Sequence, residues 1–180
     1  AGNYNFTHQA STTADITAKP VTVTGITASN KVYDGLTEAT VDVSGIDETG
    51  IGILAGDTGT VTISATGEFS DKNVGAGKTV TLTSGTSGAD ASNYAFTHQA
   101  STTADITAKP VTVTGITASD KVYDGLTSVV VDSSGASGWV IGDDITISST
   151  GVFSDKNVGT EKTVTLTSSS SGSDTSNYNF

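Results

Sequence analysis

The chain has 180 residues and a formal net charge of −11, its basic residues all lysine, with 34% apolar and only 6% aromatic residues. An acidic chain without a clustered basic face excludes nucleic-acid binding through phosphate contacts and gives no hold on anionic membranes. Cysteine is absent, which excludes disulfides, thiolate catalysis and thiolate metal sites, and no apolar run approaches the ~18 residues a membrane-spanning helix needs.

The first stretch, NYNFTHQASTTADITAK from Asn3, alternates small polar and apolar residues and runs into Pro20. Proline cannot donate to a central ladder, so it marks an edge or a break. "TADITAK" therefore reads as the last strand of one domain and "PVTVTG" as the first strand of the next. In the second run Val21 and Val23 alternate with Thr22 and Thr24. KVYDG follows at Lys31–Gly35, where Asp-Gly forms a turn and Gly35 is free to take positive φ. Tyr33 is expected to turn its ring inward and find a partner for its hydroxyl. Val41 and Val43 flank Asp42, and a Gly-rich loop runs from Gly45 to the next strand, in which Val61 and Ile63 alternate with Thr60 and Thr62. "FSDKNVG" from Phe69 reads as a tight turn that returns Phe69 and Val74 to the core. Val80 and Leu82 then alternate with Thr79, Thr81 and Thr83. In "SNYAF" at Ser92–Phe96, Tyr94 and Phe96 share a face.

From there the sequence begins again. Asn3–Thr37 recurs as Asn93–Thr127, with only Asn5→Ala and Asn30→Asp between the copies, and FSDKNVG returns at Phe153. Val111/Val113, Ile145/Ile147 and Val164/Leu166 repeat the alternation, and Tyr123, Gly125 and Val158 stand where Tyr33, Gly35 and Val74 stand in the first copy. The second copy is shorter only in the stretch after Gly135, GASGWVIGDDITI against GIDETGIGILAGDTGTVTI, which marks a surface loop. "NYNF" opens and closes the chain, so the ends fall at equivalent points of successive repeats and suggest a piece cut from a longer array.

A period of two with one apolar and one Thr-lined face implies antiparallel strands with a wet side, and no segment carries a helical period. The expected fold class is all-β: tandem immunoglobulin-like β-sandwich repeats joined end to end. Two partitions fit. The one adopted gives residues 1–18 as the closing strand of a preceding repeat, 19–108 as a first repeat, and 109–180 as a second repeat lacking its last strand. In the other, NYNFTHQASTTADI opens each domain. The first implies an unpaired strand at one end and an open sheet edge at the other, and hence head-to-tail strand exchange between molecules.

KVYDG at Lys31–Gly35 and Lys121–Gly125, FSDKNVGxxKTVTLTS at Phe69–Ser84 and Phe153–Ser168, SGADASNYAF at Ser87–Phe96 and ITAKPVTVTG occur in matching order. Together they resemble the YDG repeat, and the related MBG repeats, of large bacterial surface and secreted adhesins with filamentous-haemagglutinin-type export domains. The resemblance covers nearly the whole chain. It implies an extracellular location at the bacterial surface, a stalk of immunoglobulin-like domains, and no catalytic residues.

No residue pattern supports an enzyme. "VGAGKT" at Val74–Thr79 lacks the first glycine of a phosphate-binding loop, becomes "VGTEKT" in the second copy, and is followed by a strand instead of a helix. His8 and His98 occupy one repeat position with no second histidine nearby and read as solvent-facing strand residues. Lysine, asparagine, threonine and glutamine supply the ingredients of isopeptide or ester cross-links, but in no diagnostic pattern. No cofactor is expected; calcium is the one plausible ion, with Asp132, Asp143 and Asp144 as candidate metal ligands and Asp42, Asp47 and Asp57 nearest in the first copy. Solvated loop acids are the plainer account of the same residues.

The expected function is structural, a spacer that extends a distal binding domain with neighbouring repeats as its partners. One alternative is a module that grips a host or surface ligand, glycan or matrix protein, through the variable loop after Gly45 or Gly135. The single tryptophan, Trp139, lies in that loop, where it either meets a ligand or caps the domain end. A flat ice-binding Thr surface is the lesser alternative, since sheets twist.

Overall fold

The computed structural model describes residues 2–180. Strand accounts for 41% of the chain and helix for 3%, so the protein is all-β. Residues 4–18 form no strand and are exposed throughout.

The first copy then supplies β1 (Lys19–Thr22), β2 (Thr27–Ala28), β3 (Lys31–Val32), β4 (Glu38–Ala39), β5 (Val41–Asp42), β6 (Thr62–Phe69), β7 (Gly75–Ser87), β8 (Tyr94–Thr97) and β9 (Ser101–Thr107). Five of these make one sheet in the order β3-β9-β7-β6-β4, while β1 pairs with β8 and β2 with β5. The second copy supplies β10 (Lys109–Pro110), β11 (Thr117–Ala118), β12 (Ser128–Val129), β13 (Val131–Asp132), β14 (Thr146–Phe153), β15 (Val164–Ser171) and β16 (Tyr178–Asn179). There β12-β14-β15 form the largest sheet, β10 pairs with β16 and β11 with β13. The helical residues are two single 3₁₀ turns, Ala91–Asn93 and Thr175–Asn177, each just before the NY dipeptide.

The alternation places side chains as the period requires. Val21, Val23, Val61, Ile63, Val80 and Leu82 are buried while the intervening threonines are exposed. Pro20 lies in β1, which has a partner on one side only, so its missing N–H costs no ladder bond. Not every pair is antiparallel, however: β1–β8, β10–β16 and β3–β9 run parallel. A period of two reports which face is wet and is blind to strand direction, which depends on where distant segments return.

The lysine of KVYDG closes its own turn. Lys31 Nζ donates to Asp34 Oδ1, Leu36 O and Glu38 O at 2.8, 2.8 and 3.0 Å and sits 5.5 Å from the centre of the Phe69 ring. Lys121 repeats the arrangement on Asp124, Leu126, Ser128 and Phe153. This fixes a strand end and covers a core phenylalanine with one side chain.

The two copies differ in packing despite their common sequence. Val80 is fully buried, yet its counterpart Val164 is half-exposed; Leu82 and Leu166 are 8% and 40% exposed. Tyr33 is 1% exposed, as expected of an inward ring, whereas Tyr123 is 57% exposed, against expectation. Val158 likewise stays in solvent where Val74 is half-buried. The cause is topological. In the first copy β9 lies between β3 and β7 and inserts Ala104 and Ile106, both buried. Among the described residues no strand takes that place beside β15.

Candidate functional site at the junction of the repeats

KVYDG and SDKNVG of the first copy meet the GDD loop and SNY turn of the second. Tyr33 hydroxyl donates to Asp143 Oδ2 at 2.7 Å and Lys72 Nζ to Asp143 Oδ1 at 2.8 Å. From the second copy's own side, Tyr178 hydroxyl donates to the same Oδ2 at 2.5 Å and accepts the Val140 N–H at 3.0 Å. Lys72 also reaches Asp174 Oδ1 at 3.3 Å, and the Tyr33 and Tyr178 rings meet edge to face at 5.4 Å. Beside this cluster Asn177, 1% exposed, accepts the Val74 N–H at 2.9 Å and donates to Asn73 Oδ1 at 3.2 Å.

Local sequence explains each position. Asp71 caps the SDKN turn by accepting the Asn73 N–H at 2.8 Å and holds Lys78 at 2.7 Å, so Lys72, with nothing to bind on its own loop, points across. Gly35 has a φ of +81°, and a Cβ there would stand 3.0 Å from Val140 Cγ1; the turn comes that close because the residue has no side chain. At Gly125, with φ +78°, nothing lies within 4 Å. Asn177 is aimed by the 3₁₀ turn, its N–H bonded to Asp174 O at 3.0 Å.

The electrostatics are those of a clamp. Burial alone would raise the Asp143 carboxyl, but the hydrogen bonds from Lys72, Tyr178 and Tyr33 outweigh it and hold the group below the ordinary carboxylate value. Lys72 is raised, first by its bond to Asp143, so it stays an ammonium and not a nucleophilic amine. Burial and the Asp143 bond push Tyr178 up to about 12 and raise Tyr33 as well, so both phenols remain donors. Such a set holds two surfaces together.

Calcium finds no such convergence. Asp132 caps its own turn through the Ser134 N–H at 2.8 Å, Asp144 binds Ser173 N and Oγ at 2.9 and 3.0 Å, and Asp143 is occupied as described. In the first copy Asp42 caps through Ser44, Asp47 through Gly50, and Asp57 accepts from Tyr94. Among the described residues no group of three or more acidic or histidine side chains is arranged to hold a metal ion. Trp139 is half-buried and packs against the hydrophobic cluster with Val140 and Ile145. His98 is not solvent-facing: it is half-buried, stacked on Phe96 at 6.1 Å, with Nδ1 buried and unpartnered, whereas His8 is exposed.

The clamp escapes sequence reasoning because its members lie far apart, Tyr33 and Asp143 by 110 positions. Each copy carries both halves. Tyr123, Lys156 and Asn157 are the donor set of the second copy, and Asp57, Asp90, Asn93 and Tyr94 the acceptor set of the first. The internal half of that acceptor set is already formed, with Tyr94 hydroxyl 2.7 Å from Asp57 Oδ2 and 3.0 Å from the Leu54 N–H.

A family model described as YDG domain matches residues 17–104 and again residues 107–180. No curated protein and no solved structure matches the chain.

Proposed function

The chain belongs to the YDG domain family, and we propose that its repeats are immunoglobulin-like sandwich units of a spacer that holds a distal binding domain away from a bacterial surface. The observation that carries this reading is the clamp around Asp143. It ties consecutive repeats with charge-assisted bonds, while Thr107 of β9 and Lys109 of β10 are separated by Ala108 alone. A link that short, backed by a side-chain lock, restricts bending at every joint of an array, so extension follows repeat number. The parallel pairing of β1 with β8, which closes the first copy around a core shared with the five-stranded sheet, supports the sandwich assignment. The acidic surface keeps such arrays from sticking to one another.

The test is a distance measurement across the joint. Spin labels on exposed threonines, Thr66 in β6 and Thr150 in β14, report the separation of the repeats by pulsed dipolar spectroscopy. A single narrow distribution that broadens in Lys72→Ala supports the spacer. A broad distribution in the unaltered chain, or one indifferent to Lys72, removes it.

A further inference from the structure

The two copies differ most in the loop before β6 and β14. Trp139 stands where Ile53 stands, each just before the residue whose N–H bonds its repeat's tyrosine hydroxyl, Val140 and Leu54. Ser133 and Ala136 stand where Val43 and Ile46 stand, and no apolar residue takes the place of Ile51. In the first copy those four aliphatic side chains close the space: Ile53 is 3% exposed, and Val43, Ile46 and Ile51 pack against the core. In the second copy a cavity of about 260 Å³ stays open, lined by Ser133, Ser134, Ala136, Trp139, Thr146 and Ile147 among others. We infer that this cavity is a subsite for one ring of a neutral saccharide, laid against the indole of Trp139.

The lining sets the chemical class of the ligand. No side chain in it is charged, and Asp132 beside it is turned back onto its own turn, accepting the Ser134 N–H at 2.8 Å. A charged group would therefore lose its hydration without gaining a partner. What the walls offer is one aromatic face beside small hydroxyls. A pyranose matches both: its C–H face carries slight positive charge and lies flat on the negative face of an indole, while its rim of hydroxyls meets serine and threonine. Among the described residues neither the Ser133 hydroxyl nor the Trp139 indole N–H bonds within the protein, and neither is buried, so both are open to a ligand. The volume lies just below the roughly 300 Å³ at which sites for drug-sized ligands begin, which limits the occupant to about one ring.

The cavity's walls all lie within residues 133–147. In the first copy β8 and β9 pair with β1, β3 and β7, and with none of the positions that match this lining. The substitutions that open the cavity are also coordinated. Trimming Val43 to serine and Ile46 to alanine while enlarging Ile53 to tryptophan exchanges an aliphatic plug for an aromatic wall with a polar recess beside it. The inference is independent of the spacer reading, since it concerns Trp139 and its neighbours and not the bonds that Asp143 makes across the joint.

Trp139 is the only tryptophan, so its fluorescence and its indole N–H resonance report this cavity alone. The whole chain is titrated with the methyl glycosides of glucose, galactose, mannose and N-acetylglucosamine, and with sorbitol as a polyol that has no ring. At least one glycoside is expected to shift the indole resonance saturably, with a Kd of about 1–10 mM, the range for a ligand of this size at ordinary efficiency. Sorbitol should give no saturation. Ser133→Val and Ala136→Ile restore the residues the first copy carries at these places, so each refills the recess with a side chain the repeat already accommodates. Each should weaken binding by about tenfold or more while the indole signal remains to be read. Saturation by none of the four glycosides, saturation by sorbitol, or binding undiminished in both variants overturns the proposal and leaves Trp139 a packing residue only.

Discussion

Replacing Asp143 by alanine isolates what the clamp contributes, because the protein contains its own control. Asp57 occupies the same place in the first copy and accepts a tyrosine hydroxyl in the same way, but no lysine or second tyrosine reaches it. Asp57→Ala therefore removes one hydrogen bond to a carboxylate, about 1.5 kcal/mol, and Tyr94 hydroxyl keeps the Leu54 N–H. Asp143→Ala removes the equivalent Tyr178 bond and, in addition, those from Tyr33 and Lys72. Two further bonds to a charged group are worth about 3–6 kcal/mol in sum. The Lys72 side chain is 36% exposed and recovers water when released, so the lower half of that range applies; Tyr33, 1% exposed, cannot recover it. The excess of Asp143→Ala over Asp57→Ala should be about 3–4.5 kcal/mol. Urea unfolding measures it, fitted with separate terms for each repeat and for their interface, as linear arrays require. A cycle with Lys72→Ala should return a coupling of about 1.5 kcal/mol or more. Equal costs for the two aspartates, within about 0.5 kcal/mol, would refute the clamp as a source of coupling.

Three other expectations concern the same region. The folded Asp143 carboxyl lies below its ordinary 3.8, so its contribution is complete above that pH and lost as pH falls through the folded value; Tyr178, raised from 10.0 to about 12, contributes fully below pH 10 and loses its share as pH climbs toward 12. The inter-repeat distance distribution should accordingly stay narrow from about pH 5 to 9 and broaden on both sides. Asn177→Ala strips the acceptor from the Val74 N–H and should cost about 1–3 kcal/mol, seen as faster hydrogen exchange at Val74 with little change at Val158. Lys31→Ala should destabilise the first copy by about 1–2 kcal/mol on thermal unfolding, and Lys31→Arg should not restore it, since a planar guanidinium cannot reach the Asp34, Leu36 and Glu38 oxygens from one point.

What was legible followed from local rules. The alternation of Val21, Val23, Val80 and Leu82 with threonine predicts their burial, Pro20 predicts a strand with a free side, and Asp-Gly predicts the positive φ of Gly35 and Gly125, all of which the structure has. Strand direction was not legible, because β1 and β8 pair across most of a repeat and nothing near Val21 records which way Phe96 returns. Charge density singles out Asp143, but an acidic residue reads alike whether its partner is a calcium ion or a lysine from the neighbouring repeat. The Lys31 staple over Phe69 needed only one inference more, that a lysine three residues before an aspartate in a tight turn can bond back into it.

Tyr33 and Tyr123 show why the remainder resists reading residue by residue. They sit in identical KVYDGLT segments, yet one is buried under a carboxylate and the other exposed. Intrinsic preference is the same for both, so the difference belongs to the neighbour: β9 beside Tyr33, and Asp143 and Tyr178 above it. A repeat of this kind is a core and two half-interfaces, and its apparent surface becomes interior once the next unit is placed. Burial in such a chain is thus a property of position in the array. A substitution in one copy should have a different cost from the same substitution in the other, and the size of that difference measures the interface directly.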